Sequence, residues 1–149
     1  MLQVEYISPD ALNPAPYNPR RVSDEALKRL AKLLDLHGFV DPIIAKRDGL
    51  VIGGHQRLRA NALRKEPDEL VPVVFLDRIS DAKAKALNIA LNNPAAQGEY
   101  EPAKLADLLQ DIDTGEFDVP TFTAFSGEEI AGLMHGLDEH QVVEERLHF

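Results

Sequence analysis

The apolar positions in the first part of the chain predict a short sheet with helices beside it. Apolar residues recur at helical spacing from Leu27 to Leu34. They lie between Ser23, which suits a helix N-cap, and Gly38, which suits a helix end. A short strand is indicated at Gln3–Ile7. We therefore expect one strand and one amphipathic helix before residue 40.

A hairpin and a central strand are expected next. The two arms of the hairpin would be Pro42–Lys46 and Leu50–Ile52, on either side of the turn signal Asp48-Gly49. Val71–Leu76 is a continuous apolar run, which is typical of a strand buried on both faces. Between them, a second helix is expected from His55 to about Lys65, and its buried side is predicted to consist of Leu58, Ala62 and Leu63.

The second half of the chain reads as helical. Ser80 caps a third helix that Pro94 ends, Pro102 suits the first position of a fourth helix, and residues 114–125 look irregular. Ser126 and Glu129 make a capping box for a last helix. These elements predict an α+β fold with a small mixed sheet and flanking helices, followed by a helical C-terminal half. The expected division is an α/β core over residues 1–79, a helical extension packed on it over 80–137 and an acidic tail over 138–149.

Composition and charge narrow the classes of function. The 149 residues include no cysteine, which removes disulfides, thiolate metal sites and cysteine nucleophiles. No apolar run approaches the roughly 20 residues of a membrane span, and no signal-peptide pattern begins the chain, so a cytoplasmic protein without a membrane partner is expected. The net charge is −9, but residues 1–65 hold 11 Lys+Arg against 7 Asp+Glu. An anion is therefore expected to bind to the first half.

The strongest local signal for chemistry is the stretch Val51–Arg64. A strand runs into Gly53-Gly54, which lets a ligand approach the backbone closely, and a helix follows whose free N–H groups favour an anion. The side chains of His55, Arg57 and Arg59 add donors for phosphate oxygens. The alternative is a plain tight turn beside a solvated basic helix. The pattern is neither a Walker loop nor a dinucleotide fingerprint.

Two other stretches could assist. Asn18-Pro19-Arg20-Arg21 is a Pro-stiffened loop with two arginines, which would suit a second clamp on an anion or an ordinary surface loop. Residues 88–100 hold a cluster of amides that could read a base or hold the water shell of a metal, although Asn before Pro often simply ends a helix.

Taken in order, these stretches resemble the N-terminal domain of ParB, within the ParB/sulfiredoxin superfamily. Residues 18–21 resemble the first box of that family, residues 38–43 its Gly-x-x-x-Pro-Ile, and residues 54–60 its second box, Gly-Glu-Arg-Arg-x-Arg-Ala. The Gly-His-x-Arg-Leu form at 54–58 is similar to ParB-like domains of phages and mobile elements that often lie beside DNA methyltransferases. The resemblance covers about residues 5–135 and implies a ParB/sulfiredoxin-like fold.

The resemblance implies a nucleotide site with CTP or ATP and Mg²⁺ as its ligands. The phosphates would be held by Gly53, Gly54, His55, Gln56, Arg57 and Arg59, assisted by Arg20 and Arg21. Asn92 and Asn93 match the third box of ParB and are candidate metal or nucleotide contacts, but the acid and the Arg of that box are missing. No residue is assigned as a catalytic group or as a ligand of a resident metal. Because Arg57 and Arg59 lie about 200° apart around the helix axis, we expect only one of them, Arg57, to dominate.

The favoured function is a nucleotide-binding module in DNA transactions of a phage, plasmid or other mobile element. Its partners would be a nucleotide and DNA, bound directly or through a protein such as a methyltransferase, with a homodimer left open. One rival is an enzyme, either a metal-dependent nuclease or a nucleotide-hydrolysing, kinase-like member. Another is an interaction domain without a ligand. Sulfiredoxin chemistry is excluded because His55 stands where that enzyme has its cysteine.

Overall fold

The structure is a computed structural model and describes residues 1–136. The chain divides into two compact units, Met1–Gln97 and Gly98–Phe149, and each is described by itself. The first unit extends past residue 79, where the sequence-based division ended the α/β core. The expected acidic tail, residues 138–149, lies outside the described residues.

The elements follow the α+β order that the sequence predicts. In the first unit they are β1 (Val4–Ile7), a 3₁₀ turn (Pro9–Ala11), α1 (Asp24–His37), β2 (Ile43–Lys46), β3 (Val51–Gly53), α2 (His55–Ala62), β4 (Val71–Leu76), α3 (Asp81–Asn92) and α4 (Pro94–Gln97). The second unit contains α5 (Pro102–Asp111), α6 (Val119–Thr123) and a helical stretch at 127–136, here called α7. Between residues 80 and 136 the described chain contains no strand, as expected.

The sheet is mixed and has the strand order β1-β4-β2-β3. β4 lies antiparallel to β1 and parallel to β2, so it is the central strand that its continuous apolar sequence predicts. β2 and β3 form the expected antiparallel hairpin. Its turn needs Gly49, because φ is 99° there and a Cβ would collide with the carbonyl oxygen of Ala11.

The core lies on one face of this sheet and against α1. Ile43 pairs in register with Val73, Ala45 pairs with Phe75, and all four are buried. A second cluster forms where the apolar face of α1 meets Ala60 of α2. Its buried members on α1 are Leu27, Ala31 and Leu34, on the face predicted from their spacing. The expected caps are also present, because the Ser23 hydroxyl accepts a hydrogen bond from the Ala26 N–H at 3.1 Å and Gly38 ends α1 with φ of 70°.

The second helix differs from its prediction in length and orientation. α2 ends at Ala62 rather than near Lys65, and Ala62 and Leu63, expected to be buried, are exposed. The buried residues of α2 are His55, Ala60 and Asn61. The prediction was wrong because it ranked positions by hydropathy, whereas two of the three inward side chains are polar and bond to neighbouring segments.

The second unit confirms one cap and corrects one expectation. Ser126 and Glu129 form the predicted capping box, in which each backbone N–H donates to the other side chain, at 3.0 and 3.1 Å. The stretch 114–125 is not irregular throughout, because α6 begins after Asp118, whose carboxylate accepts from the Thr121 N–H at 3.1 Å. Helical spacing predicts that Leu108 shares the apolar face of α5 with Leu105, Leu109 and Ile112, but Leu108 is 59% exposed. None of the helices described is long and apolar enough to span a bilayer.

Candidate functional site

The corner between β3 and α2 is closely packed at both of its glycines. Gly54 is the N-cap of α2 with φ of 89°, a left-handed conformation that other residues adopt only with strain. A Cβ on Gly53 would lie 2.9 Å from Cδ1 of Leu91 on α3. A Cβ on Gly54 would lie 3.3 Å from Cα of Ile43. The turn therefore depends on Gly54, while the absence of a side chain at Gly53 lets Leu91 of α3 approach closely.

The start of α2 presents backbone donors at this corner. Gly54 supplies no side-chain cap, and the first turn of an α-helix has N–H groups without intrahelical acceptors. No acidic residue lies in that first turn. The helix dipole adds partial positive charge at the same end. These features favour an anion at this end of α2, and the phosphate site stays a prediction.

Arg57 lies beside the glycine corner. Its Nη2 donates to the carbonyl oxygen of Pro42 at 3.2 Å, and its Nη1 lies 3.7 Å from the carboxylate of Asp41. Its Nε is buried and has no hydrogen-bond partner within residues 1–136. Burial lowers the pKa of Arg57, the Asp41 carboxylate raises it, and the nearby Arg20 guanidinium lowers it further. A partly desolvated cation beside a second cation gains from a bound anion.

A chain of amides joins the first box to α3 and to the end of the hairpin. Arg20 Nη1 donates to Asn92 Oδ1 at 3.5 Å. Asn18 Oδ1 accepts from the Nδ2 atoms of Asn88 and Asn92, at 3.3 and 3.4 Å. Asn88 Nδ2 also donates to the carbonyl oxygen of Ile52 at 2.9 Å. The three stretches that the sequence singled out thus converge on one place, although they are up to 74 residues apart in the chain.

Asn88 is the most buried polar residue of this network. Its side chain is fully buried, and its Oδ1 accepts no hydrogen bond from the described residues. The amide group is oriented by its Nδ2, which lies next to two oxygen acceptors. Together with Asn92, Asn88 therefore joins the loop at Asn18 to α3, and it also joins α3 to the carbonyl oxygen of Ile52.

The side chain of His55 has a structural position. It is 5% exposed, and its Nε2 accepts a hydrogen bond from the backbone N–H of Ala15 at 3.1 Å. Burial lowers the pKa of His55 and so favours the neutral imidazole, which this bond requires. Nε2 is thus occupied as an acceptor and is not a donor to a phosphate. The ring can then donate only through its Nδ1–H, so the expected phosphate role of His55 would fall to that group or to its backbone N–H.

The remaining predicted site residues lie in three different settings. Gln56 is half-buried in the first turn of α2, and Arg21 is exposed in the loop before α1. Arg59 is exposed and lines a different face of α2 from Arg57, as the angle between them predicted. Asn93 caps the start of α4, because its Oδ1 accepts from the Ala95 N–H at 3.0 Å.

These positions do not suit a metal held by the protein alone. The Oδ1 atoms of Asn92 and Asn93 already accept hydrogen bonds from Arg20 and Ala95. Within residues 1–136 there is no group of three His, Cys, Asp or Glu side chains that could hold a metal ion. Magnesium commonly binds through substrate phosphates and keeps several waters, so a bound nucleotide would have to supply its main ligands here.

Sequence reasoning missed three residues near the start and end of α2, namely Asp41, Pro42 and Asn61. The contact of Arg57 with Asp41 and Pro42 joins two segments that lie apart in the chain, and no local pattern indicates it. Asn61 is buried and bonds to both backbone groups of Asp68. The sequence signal that could have found Asn61 is a polar residue on the inward side of a predicted helix.

The mixed sheet and its flanking helices define a small α+β class of fold, and the family can be named more closely. The ParB N-terminal domain family model matches residues 1–93, and the chain belongs to this family. The resemblance drawn from the boxes in the sequence is thereby confirmed.

Relatives and solved structures agree with this assignment. The ParB-like nuclease domain-containing protein YnaK of Escherichia coli (strain K12) is 29% identical over 80 residues, which are 54% of this chain and 90% of that protein. The C-terminally truncated chromosome-partitioning protein ParB from Caulobacter crescentus complexed with CTP-gamma-S matches with a TM-score of 0.74 at 18% identity, over 91% of this chain and 79% of that one. The same Caulobacter protein complexed to the centromeric parS site matches with a TM-score of 0.50 at 20% identity, over 93% of this chain and 75% of that one. At these identities the structural matches establish the fold.

Proposed function

We propose that this protein is a ParB-like nucleotide-binding module whose site is the glycine corner before α2. The observation that carries the proposal is the convergence of Gly54, Arg57 and Arg20 at the N-terminus of α2, where backbone donors and two guanidinium groups face one region. A triphosphate matches such an arrangement because it offers several oxygen acceptors and a high negative charge.

Among nucleotides we favour CTP, with ATP as the alternative. The support is the fold shared with the Caulobacter ParB that was solved with CTP-gamma-S. Magnesium would arrive with the triphosphate, because residues 1–136 contain no group of three His, Cys, Asp or Glu side chains that could hold the ion. The residues that hold the phosphates would be the backbone of Gly53–Arg57 and the side chains of Arg57 and Arg20, with Arg21 and Gln56 at the edge.

The proposed setting is a DNA transaction, with DNA reached directly or through a partner. Support comes from the family and from the Caulobacter ParB solved with its parS site. A phage, plasmid or other mobile-element setting and a methyltransferase partner rest on the resemblance at residues 54–58. Nuclease activity is kept as a rival because the name of the relative YnaK includes a nuclease domain.

The test is a calorimetric titration of the full chain with CTP, ATP, GTP and UTP, each with and without Mg²⁺. We expect binding of CTP, strengthened by Mg²⁺, and its loss in the double variant Arg20→Ala/Arg57→Ala. The double variant Lys28→Ala/Lys32→Ala removes the same charge from exposed positions on α1 and should bind like the parent. Equal weakening in both variants would mean that only net charge matters. Cleavage of DNA by the full chain with Mg²⁺, without nucleotide binding, would favour the nuclease.

A further inference from the structure

A second concave surface lies on the face of α2 that carries Arg59. It is a groove of about 930 Å³, and we call it the α2 groove. Its floor includes Leu58 and Ala62, which lie four residues apart and therefore on one side of the helix. Its lining also includes the 3₁₀ turn with Pro9 and the segment 67–69, which we call its walls. Its volume and largely apolar lining are typical of a binding site rather than of a surface irregularity.

Both walls of the α2 groove are held by buried polar side chains of α2. His55 accepts from the Ala15 N–H, directly after the groove residue Pro14. Asn61 donates to the carbonyl oxygen of Asp68 at 3.2 Å and accepts from its N–H at 3.0 Å. The groove is thus preformed, and a ligand would not have to order its walls.

The charges around the α2 groove favour a cationic occupant. Asp10 and Glu69 are exposed and line the groove, one from the 3₁₀ turn and the other from the segment 67–69. Asp68 is paired with Arg64 at 3.1 Å, which leaves the other two carboxylates to face a ligand. Arg59 is the only Lys or Arg among the residues described as lining the groove. These two carboxylates would repel a polyanion such as a nucleotide. They would attract an ammonium or guanidinium group.

We propose that the α2 groove binds a peptide segment of a partner protein that presents a Lys or Arg beside an apolar side chain. The apolar side chain would pack on Leu58 and Ala62, and the cation would reach Asp10 and Glu69. A second copy of this chain is a poorer occupant, because each copy carries a net charge of −9. The proposal is independent of the nucleotide site, which lies on a different face of α2.

The test begins with a phage-displayed library of random dodecapeptides selected on the immobilised full chain. A synthetic copy of the most enriched peptide is then titrated by fluorescence anisotropy. We expect enriched peptides with a Lys or Arg next to an apolar residue, and binding at least about tenfold weaker in Ala62→Arg and in Asp10→Asn/Glu69→Gln. Leu63→Arg adds the same charge at an exposed position outside the groove, and Glu66→Gln removes a carboxylate outside it. Both controls should bind like the parent.

The other outcomes overturn the proposal. The proposal is wrong if the selection yields no binding peptide or yields acidic peptides. It is also wrong if Ala62→Arg and Leu63→Arg bind the peptide equally well. Analytical ultracentrifugation of the parent and Ala62→Arg tests for a second copy, because a dimer that only Ala62→Arg dissociates would make the groove an interface between copies. Nucleotide titration of Ala62→Arg should match the parent, which separates failure here from failure of the nucleotide site.

Discussion

The Nη2 atom of the Arg57 guanidinium lies close to Gly54, so that a Cβ built on Gly54 would be 3.1 Å from Nη2. The same nitrogen donates to the carbonyl oxygen of Pro42. The glycine corner and the guanidinium are therefore adjacent, and the segment Pro42–Ile43 contacts both. Changes to either residue should affect the same property, the binding of an anion at the start of α2.

Arg57→Ala should weaken nucleotide binding much more than Arg59→Ala. Arg57 is partly desolvated at the corner, whereas Arg59 is exposed on another face of α2. Loss of a desolvated, charge-assisted pair with phosphate costs about 2 kcal/mol, or about 30-fold in Kd. Isothermal titration with CTP and Mg²⁺ measures both variants, and circular dichroism checks that both are folded. If Arg57→Ala binds as tightly as the parent, the assignment of the phosphate site is wrong.

Gly54→Ala should lower both stability and nucleotide affinity. A residue with a Cβ is strained at φ of 89°, and the added atom would press on Ile43 and Arg57. We expect a loss of about 1–3 kcal/mol in the free energy of unfolding, measured by urea denaturation. Gly127→Ala is the matched control, because nothing lies within 4 Å of its Cβ position and its φ is not in the strained range. A Gly54→Ala protein as stable as Gly127→Ala would argue against the strain.

Much of this fold could be predicted because its elements carry local signals. Ser23 and Ser126 cap helices through bonds that span only three residues, so a short sequence window contains both partners. The turn at Gly49 depends likewise on a conformation that few other residues adopt. The glycine corner was found for the same reason, since a strand, two glycines and a basic helix follow one another directly.

The parts that could not be predicted depend on contacts between distant segments. Arg57 was expected at the corner, but its hydrogen bond to Pro42 spans 15 residues, and no periodic pattern in the sequence indicates it. His55 was taken for a phosphate donor because it follows the glycines, whereas its side chain bonds to Ala15, 40 residues away. Asn61 was passed over because polar residues usually face solvent. Packing, not local pattern, determined the orientation of α2.

Acidification should weaken the contribution of His55 to stability. Burial lowers the folded-state pKa of His55 below its ordinary value near 6.5, so protons bind the unfolded state more readily. The stabilisation is fully present above about pH 6.5 and is lost as the pH falls through the folded-state pKa. In His55→Gln, a side-chain carbonyl can accept from the Ala15 N–H without titrating.

Urea denaturation of the parent and His55→Gln between about pH 5 and pH 8 measures this effect. Carboxylates titrate in both proteins, so the difference in free energy of unfolding isolates His55. We expect the parent to lose stability relative to His55→Gln as the pH falls below about 6.5. A difference that stays constant across this range would contradict a buried, neutral His55.

Asn61→Ala should be among the most destabilising single changes on α2. Asn61 is 2% exposed and holds Asp68 by two hydrogen bonds, and its Oδ1 also accepts from Arg64 at 3.1 Å. Truncation leaves the N–H and carbonyl of Asp68 without these partners and opens a small cavity, which should cost about 2–4 kcal/mol. The stability of Asn61→Asp should lie between those of Asn61→Ala and the parent, because Asp keeps both acceptor contacts but turns an oxygen toward the Asp68 carbonyl.

Urea denaturation at neutral pH gives the ranking, with the exposed neighbour Glu66→Ala as a control expected within about 0.5 kcal/mol of the parent. If Asn61→Ala is as stable as Glu66→Ala, the segment 67–69 does not depend on Asn61, and the preformed wall of the α2 groove loses its physical basis.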